Sequence, residues 1–211
     1  MANAVQALLD LGRIKTAELH THPYQWGLIQ DLIPDSAAQS LINNFPGDHF
    51  EETYTTNQDK TYRMWVRQLL KEGKLYHPEA LHEVWHDLMT TLQSPEYTAA
   101  MSELTGLDLS KLTLEVAFWR YSSECWLSPH CDKPEKVVTQ LLYLNESWQS
   151  DWGGTLKILN SGDLDDEAAE VLPYWKNSAL LIRSDRSWHA VSFVKPGVQA
   201  ERRSVQIMWK K

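Results

Sequence analysis

Cysteine is scarce in this chain: Cys125 and Cys131 are the only two in 211 residues. Two thiols cannot build a disulfide framework, and their spacing is not CxxC, so neither a zinc knuckle nor a dithiol redox motif is available. A reducing, cytoplasmic setting is the simplest expectation. Basic charge is also short, with 20 Lys and Arg against 28 Asp and Glu and a formal net charge of −8. Phosphate backbones and anionic membranes are bound chiefly by clustered cations, so no nucleic acid and no membrane is expected as a partner. Long hydrophobic runs are missing too. The N-terminal MANAVQALLDLGRIK carries Asp10 inside its apolar stretch and has no basic start, and nothing approaches the length of a bilayer span. Without repeats, low-complexity tracts or linkers, one domain over residues 1–211 is expected.

Tryptophan is plentiful, with ten residues, and core burial is the default fate of indole rings. The hydrophobic pattern changes along the chain. Residues 1–110 read as a mainly helical scaffold: Val5, Leu8, Leu9 and Leu11 near the start, then Ala37, Leu41 and Ile42 after Asp35, a candidate N-cap. Between Pro78 and Gln93, Leu81, Val84, Trp85, Leu88 and Leu92 fall at steps of three and four, along one face of a helix that would pack on a sheet. Residues 111–211 switch to period two and to short runs bounded by turn residues: LTLEVAFWRY, KVVTQLLYLN, GTLKIL, SALLIR, WHAVSFV and RRSVQIMWK. The acidic SGDLDDEAAE between them reads as a solvated connection or short helix. Helices followed by strands indicate an α+β architecture.

Two metal-ligand patterns compete. His130 and Asp132 form an HxD just before one strand, and His189 opens another. Two imidazoles and a carboxylate can occupy one face of an octahedral iron(II), leaving three positions open. In an extended segment His130 and Asp132 point the same way while Cys131 faces elsewhere. The rival is His82-Glu83-Val84-Trp85-His86, a literal HExxH of the kind zinc peptidases carry on a helix. Val84 and Trp85 belong to the apolar stripe, however, and His82 and His86 flank it, where ordinary polar histidines are expected. No third zinc ligand can be singled out.

The last strand adds an independent signal. Arg203, Val205, Ile207 and Trp209 alternate onto one face, and a guanidinium on an apolar face requires a carboxylate or phosphate partner. Thr139, Leu141 and Tyr143 share a face of another strand, from which a phenol could reach the same partner. An acidic small cosubstrate fits such a place.

Taken in order, RY at Arg120 and Tyr121, PHCDKP, TQLLYLN, DWGGTLKIL, SALLIRS, WHAVSFV and ERRSVQIMW resemble the prolyl-4-hydroxylase-like branch of the iron(II)/2-oxoglutarate dioxygenases. The resemblance spans about Leu112 to Trp209 and implies a double-stranded β-helix, or jelly roll, with the helical N-terminal half packed on its sheet. It implies His130, Asp132 and His189 as ligands of Fe(II), and Arg203 with Tyr143 as the anchor of 2-oxoglutarate, Arg202 being the alternative. Ile207 stands where such enzymes often have a hydroxyl residue. The implied reaction consumes O2 and 2-oxoglutarate and hydroxylates a C–H bond of a peptide or small amino-acid-like molecule, with Arg120, Trp148 and Trp152 as substrate contacts. Asp132 in place of a small residue argues for hydroxylation over halogenation. A non-catalytic or 2-oxoglutarate-independent cupin-like metal protein is the alternative from another class.

Overall fold

The computed structural model describes residues 7–57 and 60–211; Val5 of the first apolar group lies outside them. The chain begins with α1 (Leu11–Lys15), β1 (Leu19–His20), β2 (Trp26–Gln30) and α2 (Asp35–Asn43). A long hairpin of β3 (Glu51–Asn57) and β4 (Lys60–Lys71) follows, with the two-residue β5 (Lys74–Leu75) beside it. Helices α3 (Glu83–Leu92) and α4 (Pro95–Thr105) come next. The second half is all strand: β6 (Thr113–Tyr121), β7 (Trp126–His130), β8 (Lys136–Tyr143), β9 (Leu156–Leu159), β10 (Glu167–Val171), β11 (Asn177–Ile182), β12 (His189–Val191) and β13 (Arg202–Lys210). Every ladder is antiparallel, in the order β1-β2-β11-β8-β13-β6-β4-β7-β12-β9-β10.

Helices cover one face of this curled sheet. In α3, His82 caps the first turn by accepting from the Val84 amide, and Val84, Trp85, Leu88, Met89 and Leu92 are buried. Trp85 meets Phe118 of β6 edge-on at 4.7 Å, and its indole N–H donates to the Asn44 carbonyl at 2.6 Å. Helix α4 starts with Ser94 as cap and Pro95 in its first turn and stops at Gly106, whose φ of 68° suits a residue without Cβ. Against these helices lie Phe118, Val138, Leu142, Val205, Ile207 and Trp209. The opposite, concave face buries a second cluster that includes Leu141, Tyr143, Leu156, Leu181 and Tyr24. The central strands are therefore covered on both sides.

The expected helical N-terminal half is corrected by the β3–β4 hairpin, which extends the sheet through Val66 opposite Trp119 of β6 and Arg63 opposite Trp126 of β7. Its Thr, Tyr and Val side chains favour an extended backbone, but β3 is an outer strand with no buried residue. It therefore carries no apolar period to read. The acidic stretch is corrected in the same way: its end forms β10, where Lys157 of β9 reaches Glu167 at 2.6 Å and Glu170 at 2.8 Å.

Candidate metal centre and its cavity

Pairing of β7 with β12 brings the two histidines together. His130 closes β7, His189 opens β12, the two are direct register partners, and their ring centroids lie 4.3 Å apart. Each ring is oriented by its own backbone: His130 Nδ1 lies 2.9 Å from the Ser128 carbonyl and His189 Nδ1 lies 2.9 Å from the Ser187 carbonyl. A carbonyl only accepts, so Nδ1 carries the proton and Nε2 keeps its lone pair for a metal. Asp132 follows β7 by two residues. Lys136 Nζ sits 2.7 Å from its Oδ1, and the Thr139 hydroxyl donates to its Oδ2 at 3.2 Å. The three side chains are buried, with ligand atoms all within 4.8 Å of one another, the only such cluster among the described residues.

The electrostatics suit metal binding. Burial, reinforced for His130 by its neighbour His189, pushes both imidazoles below their ordinary range and keeps them unprotonated. Burial alone would raise Asp132, but His189 and Lys136 outweigh it and hold the carboxyl well below its usual value. Cys131 turns away, its thiol 3.7 Å from the Asp185 carbonyl.

Beside this triad is a cavity of about 450 Å³, counting its open mouth. The strand that reaches it from behind corrects one expectation. Arg203, with Val205, Ile207 and Trp209, faces the helix-covered side, where it is 39 % exposed, pairs with Glu201 at 3.4 Å and lies over Phe45 at 5.4 Å. Arg202, Ser204 and Gln206 face the cavity instead. Arg202 is 2 % exposed and lies between the rings of Tyr121 at 4.8 Å and Tyr143 at 5.2 Å. Its nearest polar partner is Ser204 Oγ at 3.4 Å, and its Nε is buried with none. The apolar face of β13 faces the protein core, whereas a polar ligand would need the other face. On a strand buried on both sides, the polar series Arg202, Ser204, Gln206 marks the cavity. The same one-residue offset places Ile207 in the core.

Tyr143 lies beneath Arg202, in register with Ser204, with a buried hydroxyl that has no partner. Burial raises its pKa despite the opposing guanidinium, so the phenol keeps its proton and can donate. Arg120, Trp148 and Trp152 do not reach the cavity. Arg120 is on the outer face, over Phe50 at 4.2 Å and near Glu201. Trp148 is buried, donating to the Gly153 carbonyl at 2.7 Å, and Trp152 stacks edge-on against it at 5.4 Å. These indoles shape the turn before β9. The HExxH histidines do not converge: His82 is the α3 cap, and His86 Nε2 contacts the Pro78 carbonyl at 3.1 Å.

Two charged cavity residues, Lys60 and Lys136, escaped the sequence reading. Lys136 could have been found from Asp132 four residues earlier. Lys60 comes from the unanticipated hairpin, and burial lowers its pKa to about 8, with Lys136 adding to the effect.

The donor set and the orphaned atoms fit a defined pair of ligands. Two neutral imidazoles and one carboxylate on a single side suit iron(II) with positions to spare. A buried guanidinium with no carboxylate partner, beside the orphaned Tyr143 Oη that can donate, suits a small dicarboxylate.

Residues 116–210 match the family model described as 2OG-Fe(II) oxygenase superfamily. No curated protein matches the chain by sequence. Among solved structures, a Pseudomonas putida prolyl-4-hydroxylase is 16 % identical over 95 % of this chain and 96 % of its own, with a TM-score of 0.62. A Trichoplax adhaerens prolyl hydroxylase, solved with a peptide fragment of the hypoxia inducible factor oxygen degradation domain, is 16 % identical over 95 % and 86 %, with a TM-score of 0.63. A Phytophthora capsici prolyl 4-hydroxylase is 21 % identical over 97 % and 66 %, with a TM-score of 0.62. At these identities the structural likeness establishes the fold.

Proposed function

We propose that this chain, whose residues 116–210 match the 2OG-Fe(II) oxygenase superfamily, is an Fe(II)- and 2-oxoglutarate-dependent dioxygenase that hydroxylates a C–H bond of a peptide or small amino-acid-like substrate. The balanced reaction takes R–H, O2 and 2-oxoglutarate to R–OH, succinate and carbon dioxide. His130, Asp132 and His189 hold the iron, and Arg202 with Ser204 and Tyr143 holds the distal carboxylate of 2-oxoglutarate. When bound, the pair supplies the oxidising chemistry.

The rest falls to the protein. Hydrogen bonds from Nδ1 to Ser128 and Ser187 aim both imidazoles, and Thr139 fixes the second oxygen of Asp132. Such supporting contacts preset ligand geometry so that little reorganisation accompanies binding. Arg202, held between two tyrosine rings, sets how far the cosubstrate enters. Leu127, Leu156 and Val191 line the wall beside the triad, limiting water near the reacting carbon.

The observation that carries this reading is Arg202: a buried guanidinium without an anionic partner, in the same cavity as the triad. Removing a hydrogen-bonded charge contact costs roughly 1.5–3 kcal/mol, about 10- to 150-fold in binding. Arg202→Ala should raise the KM for 2-oxoglutarate by that factor, measured as succinate formed from 2-oxoglutarate in air. Arg203→Ala should leave it within about twofold, as expected of a rim ion pair. The reverse ranking would refute the assignment.

A further inference from the structure

The charges around the cavity point to the kind of molecule it oxidises. In a chain of net charge −8, the cavity is lined by three cationic side chains, Lys60, Lys136 and Arg202, against one carboxylate, Asp132. Iron(II) would add two positive charges, and 2-oxoglutarate two negative ones. Once Asp132 serves the metal and Arg202 the cosubstrate, both lysines remain uncompensated.

Lys136 makes this concrete. Its ammonium lies 2.7 Å from Asp132 Oδ1, and a dication on that carboxylate would compete with it directly and repel it. Lys60 reaches the cavity from the start of β4, close enough for its charge to oppose protonation of both ligand histidines. Among the described residues it forms no ion pair. Two cations at a dication's site are tolerable together when an anion lies between them. The remaining wall is apolar, with Leu127, Leu156 and Val191 joined by the rings of Trp119 and Tyr121, and leaves limited room.

Resting on the oxygenase reading above, we infer that the substrate is a small molecule with an apolar body and a free carboxylate, received by Lys60 and Lys136 beside the metal. The β3–β4 hairpin, which places Lys60, is thereby a specificity element as well as an extension of the sheet.

The test uses the whole protein loaded anaerobically with iron(II) and 2-oxoglutarate, whose visible absorption reports the loaded site. Free amino acids and short aliphatic acids are titrated against their primary amides, and succinate release is then followed in air. The inference predicts that at least one acid perturbs the absorption and stimulates release while its amide does neither at about tenfold higher concentration. Lys60→Gln and Lys136→Gln should each raise the half-saturating acid concentration by about tenfold or more. The acid–amide comparison in the unaltered protein stands even if a variant misfolds. Equal responses to acid and amide, or no response to any acid, overturn the inference while the absorption itself upholds the oxygenase reading. Absence of the absorption overturns both.

Discussion

Imidazoles buried without a proton are costly to charge, and the triad contains two. Burial holds His130 and His189 below the ordinary value of 6.5, so below that pH the unfolded chain binds more protons than the folded one. Unfolding is then favoured progressively as the pH falls. Asp132 acts in the same direction at lower pH: its depressed pKa stabilises the fold above the ordinary carboxyl value of 3.8, and that contribution is lost as the carboxyl protonates. The urea midpoint of the metal-free protein should therefore fall between about pH 7.5 and about pH 5.5. His189→Gln should flatten part of that slope. A midpoint that rises on acidification would show that these rings are not held neutral. The adjacent pair Arg202 and Arg203 makes a related point, since one position of alternation separates a cavity guanidinium from a rim ion pair.

Strands and turns set where these side chains go. Gly153 and Gly154 have φ of 74° and 70°, and a Cβ on Gly153 would lie 1.9 Å from the Phe193 carbonyl oxygen. Gly153→Ala should therefore lower the stability measured by urea unfolding by at least about 1–3 kcal/mol, the usual cost of such backbone strain, with the clash adding to it. A stability unchanged from the parent would mean that the turn before β9 is not built as described. The glycine pair was legible as a turn from the sequence alone, as were six of the strands, because β6, β8, β11 and β13 carry enough Val, Leu, Ile and aromatic residues to stand out. Strand β7 was missed although it ends in His130: WLSPH is only five residues long and contains Pro129, which weakens any strand reading. The triad itself needed no three-dimensional information, since an HxD and a distal histidine lie at the edges of recognisable strands. The anchor did. Choosing between Arg202 and Arg203 required knowing which side of β13 the helices cover, and both sides of that strand are buried. Lys60 was beyond reach because β3 and β4 show their hydrophobicity only where β4 meets β6.

For the molecule as a whole, a curled antiparallel sheet with helices on one face concentrates its polar groups on the other. The concave side is then available for a small charged cavity inside an acidic protein, and the net charge of −8 gives no hint of its cationic lining. The central claim is that His130, Asp132 and His189 together hold iron(II) that 2-oxoglutarate chelates. Its most direct test is anaerobic addition of iron(II) and 2-oxoglutarate to the purified metal-free protein, watching for the weak visible charge-transfer absorption of the chelate. The account predicts an absorption that saturates at one equivalent of each and is abolished in the Asp132→Ala/His189→Ala double variant. Iron bound without that absorption, or an absorption retained in the double variant, would contradict it.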